Sequence, residues 1–229
     1  MFCVRAVFSI SERWLSMSMS FLILGPNDAR VTILLAHGAG GAMDSVAMNG
    51  SAEALAHLGF RVVRFEFEYM AARRVSDARP PPPRAETLIP EYQSAIADLA
   101  ATGALIIGGR SMGCRIASMI ADGLYSAGKI SGLLCLGYPF HPIGQPDKLR
   151  TQHLAELRTP TLICQGTRDQ FGTQDEVSRY TLSKSIEILW LEDGDHSLKP
   201  RKKVSGFTAA DHLTTMATAV RTWADKTVT

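Results

Sequence analysis

The sequence has no hydrophobic run of the ~18–20 residues that a membrane-spanning helix needs, so no span is expected. It has no excess of charge either: 24 Lys and Arg stand against 22 Asp and Glu, a formal net charge of +2. That balance lacks the basic footprint that nucleic-acid binding requires. Cysteine is scarce, and Cys3, Cys114, Cys135 and Cys164 show no C-x-x-C spacing. A zinc site wants clustered thiolates and imidazoles, so none is expected. The last three cysteines sit in apolar or small-residue runs and read as reduced, buried thiols of a cytosolic protein. No Gly-Lys-Ser/Thr phosphate loop and no spaced G-x-G-x-x-G pattern occurs, which argues against nucleotide binding. Neither metal nor organic cofactor is called for.

What is present is a chain of 229 residues, 46% of them apolar. That length suits one larger domain, burying roughly 70–75% of its unfolded surface. The first twenty residues carry a basic residue and some apolar ones, as a signal peptide would. Ser11, Glu12 and Arg13 interrupt any hydrophobic core there, however, and no clean cleavage site follows. Met17 and Met19 stand just before the first convincing strand. The expectation is a loosely ordered extension over residues 1–18 and a single domain over 19–229.

After residue 30, short apolar runs alternate with stretches of helical period. The runs are Val31 to Ala36, Arg61 to Phe67, Ala104 to Ile107, Leu133 to Leu136, Thr161 to Gln165 and Glu187 to Leu191, with Phe21 to Leu24 as an earlier candidate. Most lack period-2 alternation, as strands buried on both faces do. Helices are expected over Ser45 to Leu58, Met112 to Leu124 and Ala209 to Ala224. Strand and helix repeated this way predict an α/β fold, a three-layer α/β/α sandwich with a mainly parallel sheet. Four consecutive prolines, Pro80 to Pro83, forbid helix and favour a stiff extended connection.

The strongest chemical signal is Gly109-Arg110-Ser111-Met112-Gly113, which follows an apolar strand and opens a helix. In that context G-x-S-x-G places the serine on a sharp strand-to-helix turn, and the glycines remove side chains that would clash. Ser111 is the candidate nucleophile, and its hydroxyl needs a base within hydrogen-bond reach. Directly after another strand comes His37-Gly38-Ala39-Gly40-Gly41, whose small residues let backbone N–H groups face an oxyanion. The N–H groups of Ala39 and Met112 are the expected pair of donors, with Gly40 as second choice to Ala39. His37 is read as a loop-ordering residue.

The base and its orienter should lie past the carboxyl ends of later strands, where an open parallel sheet carries its site. Thr161 to Gln165 runs into Asp169, and Glu187 to Leu191 runs into His196. The order Ser111, Asp169, His196 is that of an α/β-hydrolase. Asp193 and Asp195 compete with Asp169 as orienter, but both share the histidine's own loop.

On these residues the chain resembles an α/β-hydrolase-fold serine hydrolase over most of its length. More narrowly, His37 to Gly40 with Met43-Asp44-Ser45, then Arg61 to Met70, then Gly108 to Gly113, resemble small bacterial hydrolase-like proteins. These are related to the testis-expressed and nonspecific-lethal-complex hydrolase-like proteins of animals and to dienelactone-hydrolase-type enzymes. The resemblance implies a serine hydrolase and leaves its substrate open.

About two dozen residues separate the strand ending near Gly137 from the one starting at Thr161, too few for a large helical cap, so an open site is expected. Tyr138, Phe140 and His141 are candidates for lining it, with packing as the competing role. Arg110 and Arg115 flank the nucleophile, and Glu66 and Glu68 end a neighbouring strand. Ion pairing among them competes with Arg110 holding a substrate carboxylate. The function expected is hydrolysis of small carboxylic esters or thioesters through an acyl-enzyme at Ser111. The alternative is a catalytically weak hydrolase-fold module for protein interaction. A small-molecule acyl substrate is the only partner implied, and the sequence is silent on oligomeric state.

Overall fold

Among the described residues seven strands form one sheet in the order β1-β3-β2-β4-β5-β6-β7. The structure is a computed structural model, which describes residues 19–228 apart from 77, 78, 80, 100 and 102. The expected extension over residues 1–18 lies outside the described residues, as does Pro80. The elements run β1 (Phe21–Leu24), β2 (Val31–Ala36), α1 (Val46–His57), β3 (Arg61–Phe65), α2 (Glu68–Val75), α3 (Ile89–Asp98), β4 (Ala104–Arg110), α4 (Met112–Ser126) and β5 (Gly132–Leu136). They continue with β6 (Thr161–Gly166), α5 (Gln174–Val177), β7 (Ile186–Leu191), α6 (Lys202–Ser205) and α7 (Ala209–Thr227). Short 3-10 turns occupy Ala85–Leu88 and Gln152–Leu154.

Only β1 is antiparallel to its neighbour; β3, β2, β4, β5, β6 and β7 run parallel. Every residue of β2, β5 and β6 is buried, which is why these segments read as unbroken apolar runs. One face of the sheet packs α1 and α7 through Met48, Leu55, Met216, Val220 and Trp223. The other packs α3 and α4 through Tyr92, Ala95, Ile116, Ala117 and Ile120. The result is the expected three-layer sandwich. Among the described residues no helix is long and apolar enough to cross a membrane.

Two strand ends differ from the sequence expectation by two residues or more, each for a pairing reason. β3 stops at Phe65 because its partner β2 ends opposite it at Ala36. Glu66 and Phe67 then bond to loops, and Glu68 opens α2 rather than ending a strand. β4 continues past Ile107 to Arg110 because Gly108 to Arg110 register against Leu134 to Leu136 of β5. The sheet absorbs two glycines that resemble a turn in sequence. α3, unassigned by the apolar runs, covers β4 with Tyr92, whose hydroxyl accepts from the Gly108 N–H at 3.0 Å and bonds its carbonyl at 2.6 Å.

The chain leaves β2 for β3 on one side and returns to β4 on the other. The carboxyl ends of β2 and β4 therefore border the crevice where sheet order reverses, the place where open α/β sheets bind ligands. Ala36 registers with Gly109, so the His37 loop and Ser111 emerge side by side.

Candidate active site

Ser111 occupies the single-residue turn between β4 and α4 with φ 52° and ψ −116°, a conformation that costs a non-glycine residue of order 1–3 kcal/mol. The tightness of the turn shows in its glycines. A Cβ on Gly109 or Gly113 would stand 2.5 Å from the Ala36 carbonyl oxygen. The turn is tied to the sheet by the Ser111 N–H, which donates to the Leu136 carbonyl at 3.2 Å.

The loops beyond β6 and β7 bring Asp169 and His196 to the same edge. His196 Nε2 lies 2.8 Å from Ser111 Oγ, and His196 Nδ1 lies 2.8 Å from Asp169 Oδ2. A carboxylate only accepts, so Nδ1 carries the proton and Nε2 is left to accept from the serine hydroxyl. Asp169 is fully buried and stays satisfied: Gln165 Nε2 donates to Oδ2 and the Phe171 N–H to Oδ1, both at 2.9 Å. Gln165 also accepts the Tyr138 N–H at 2.7 Å, so one buried amide ties the carboxylate to β5's exit loop. Gln165 shows in the sequence only as a polar residue near the end of a mostly apolar strand.

The competing aspartates are occupied elsewhere. Asp193 is gripped by Arg201 and Arg168. Bonding to Arg201 is the main cause that holds its carboxyl down at about 2. Asp195 accepts the N–H groups of Ser197 and Lys199 and so shapes the loop that carries His196.

Across the crevice, the His37 ring is buried. Its Nε2 accepts the Phe67 N–H at 3.1 Å and its Nδ1 lies 2.7 Å from the Gly38 carbonyl. Accepting at one nitrogen and facing a carbonyl with the other fixes a neutral ring protonated at Nδ1, and burial lowers its pKa. His37 thus orders the loop. Tyr69 adds a hydroxyl 3.1 Å from the Ala39 carbonyl. Ala39 and Met112 both line the cavity that Ser111 opens into, and the Met112 N–H, in the first turn of α4, has no acceptor within its helix.

The remaining candidates fall elsewhere. Arg110 does not face the cavity: its guanidinium is buried and donates to the His196 carbonyl at 2.6 Å. It braces the histidine's loop, because β4's last side chain points under that loop. Tyr138, Phe140 and His141 are buried too. Tyr138 and Phe140 pack ring against ring with centroids 4.9 Å apart, and it is Pro139 between them that lines the cavity. The anticipated ion pairs exist with other partners: Glu66 with Arg74, and Arg115 with Glu86. A second serine–histidine contact, Ser118 Oγ to His153 Nε2 at 2.8 Å, lies within the packing of α4. Ser118 is 2% exposed and donates its one O–H to the Arg115 carbonyl, so towards His153 its oxygen acts as the hydrogen-bond acceptor.

The alpha/beta hydrolase domain profile matches residues 29–225, nearly the whole described chain. The chain belongs to the alpha/beta hydrolase domain family. Solved structures of the same fold include the esterase domain of a Rhodothermus marinus protein, 16% identical with a TM-score of 0.63, covering 92% of this chain and 94% of that one. A lidless serine hydrolase from Xanthomonas campestris is 19% identical with a TM-score of 0.63, covering 89% and 88%. Dienelactone hydrolase from Anabaena variabilis is 17% identical with a TM-score of 0.65, covering 91% and 92%. At these identities the likeness is one of fold. The alpha/beta hydrolase domain found here carries only a 3-10 turn in its β5–β6 connection.

Proposed function

We propose that the protein is a serine hydrolase that cleaves small carboxylic esters or thioesters through an acyl-enzyme at Ser111. The observation that carries this reading is the unbroken chain of 2.8 Å contacts from Asp169 through His196 to Ser111, ending at a cavity shared with Ala39 and Met112. His196 takes the Ser111 proton as Oγ attacks the acyl carbonyl. It then gives that proton to the departing alcohol or thiol as the carbonyl carbon's bond to it breaks. Asp169 holds the imidazole in its Nδ1–H tautomer and stabilises the imidazolium. The N–H groups of Ala39 and Met112 stabilise the oxyanion, each contributing about 3–4 kcal/mol in the transition state. Water, deprotonated by His196, then attacks the acyl-enzyme, frees the acid and returns the proton to Ser111. The reaction as written uses these side chains, the two backbone N–H groups and water.

The test is labelling of the folded protein by a fluorophosphonate probe. Wild type is expected to label and Ser111→Ala to remain unlabelled, with ester turnover falling by roughly 10⁴-fold or more. A folded wild type that takes no label would overturn the proposal and favour the interaction module. A panel of p-nitrophenyl esters and thioesters of varied acyl length then identifies the acyl group.

A further inference from the structure

The cavity of ≈ 420 Å³ beside Ser111 is walled by Pro82 and Pro83 of the proline run and by three arginines, Arg84, Arg115 and Arg150. One carboxylate, Glu86, shares the wall and is paired to Arg115 at 2.5 Å. Three guanidiniums against one carboxylate leave an excess of two positive charges next to the proposed nucleophile. The excess is built in. Arg115 stands one helical turn after Ser111 on α4, its N–H donating to the Ser111 carbonyl at 3.2 Å, and its Nε is buried without a hydrogen-bond partner. Arg150 is half-buried and anchored by its backbone, whose N–H donates to the Phe140 carbonyl at 2.7 Å and whose carbonyl accepts from the Tyr138 hydroxyl at 3.1 Å. Its side chain makes no salt bridge among the described residues. Burial, and then repulsion from Arg115, lower its pKa. Arg84 stands exposed at the end of the proline run, also without a salt bridge among the described residues.

Holding partly desolvated guanidiniums beside one another is unfavourable unless an anion joins them, and guanidinium forks match carboxylate geometry. We infer that Arg115 and Arg150, with Arg84 at the rim, bind a carboxylate of the substrate, so that the preferred substrate is an ester bearing a negative charge. This rests on Ser111 being the nucleophile. Glu86 competes with the substrate for Arg115 and tempers the site.

The carboxylate could belong to either half of the ester, and the substrates of the test separate the two. Mono-4-nitrophenyl glutarate against 4-nitrophenyl butyrate probes the acyl side; 4-acetoxybenzoate against its methyl ester probes the alcohol side. In at least one pair, wild type is expected to favour the anion in kcat/KM by about tenfold or more. The ratio should fall by about that factor in R115Q/R150Q, return in part in R115K/R150K, rise in E86Q and shrink as salt is raised. Fluorophosphonate labelling of each variant reports that the Ser111 turn is intact. Calorimetric binding of glutarate to S111A, with and without R115Q/R150Q, reads the anion site apart from chemistry. Turnover of neutral esters with no anionic preference in either pair and no glutarate binding overturns this inference and leaves the hydrolase reading standing. Glutarate binding that R115Q/R150Q abolishes, in a protein that neither labels nor turns over any ester, overturns the hydrolase reading and leaves the anion site.

Discussion

At the residue scale, the histidines show how position assigns chemistry. His196 and His37 lie on opposite sides of the crevice, yet only His196 has one nitrogen on a buried carboxylate and the other on the serine hydroxyl. His37 spends both nitrogens on the backbone of its own loop and of Phe67, and this gives it a pH signature. Its folded pKa lies below the ordinary value of 6.5, so below that pH the unfolded chain binds a proton that the folded chain refuses. Stability is then fully present above about pH 6.5 and falls as pH drops toward the depressed folded value. His153, also lowered by burial, adds a drift of the same sign. Thermal melts between pH 7.5 and 5.5 should show the midpoint falling, and His37→Asn should flatten the curve in part while His153 supplies the rest. A midpoint that rises on acidification would contradict the buried neutral ring. Gln165 carries the second residue-scale prediction. Gln165→Leu leaves the Tyr138 N–H without its acceptor and Asp169 with one donor fewer, so stability should fall by about 1–3 kcal/mol and kcat should drop with it.

At the element scale, legibility in the sequence followed how local each determinant was. The elbow could be read because strand, G-x-S-x-G and helix are contiguous, and the parallel strands because burial on both faces leaves a continuous apolar run. The meeting of Ser111, Asp169 and His196 at one sheet edge could be read because each loop follows its strand directly. What could not be read depended on partners distant in sequence. The end of β3 is set by where β2 ends, and the extension of β4 by β5. The inward turn of Tyr138, Phe140 and His141 follows from packing, and the burial of Arg110 from the loop of His196, 86 positions away. The arginine wall was equally hidden, since Arg84, Arg115 and Arg150 converge from a linker, a helix and a loop. The elbow also yields a prediction. A methyl group on Gly113 would meet the carbonyls of Ala36 and His37 at 2.5 and 2.7 Å, and these are backbone atoms of a buried strand end that cannot step aside. Gly113→Ala should therefore cost about 1–3 kcal/mol or more, measured by denaturant melts. It should also slow fluorophosphonate labelling even where the protein stays folded, because β2 and α4 must part and Ser111 moves with them.

At the scale of the whole molecule, the sheet separates the packed end of its strands from the end that carries the candidate site. The carboxyl edge holds the Ser111 turn, the Asp169 and His196 loops and the arginine wall, while the opposite edge is closed by packing. α7 is the clearest case: its Thr208 capping box fixes its start, and Trp223, 3% exposed, lies against Gly132 at the first residue of β5. Gly132 and the Ser111 turn stand at opposite ends of the β4–β5 ladder, since Leu136, at the far end of β5, is what receives the Ser111 N–H. Truncating Trp223 removes a large buried ring where neighbouring helix and strand cannot collapse fully, and such changes cost about 3–5 kcal/mol. For a domain of this size that corresponds to a midpoint lower by on the order of 10 °C. Trp223→Ala should therefore melt much earlier and yet, well below its midpoint, label at Ser111 at close to the wild-type rate. Gly113→Ala should show the reverse emphasis, with labelling lost out of proportion to stability. If Trp223→Ala slowed labelling as much as Gly113→Ala does at equal folded fraction, the two ends of the sheet would be coupled, and the elbow's geometry would depend on packing across the whole sandwich instead of on its own turn.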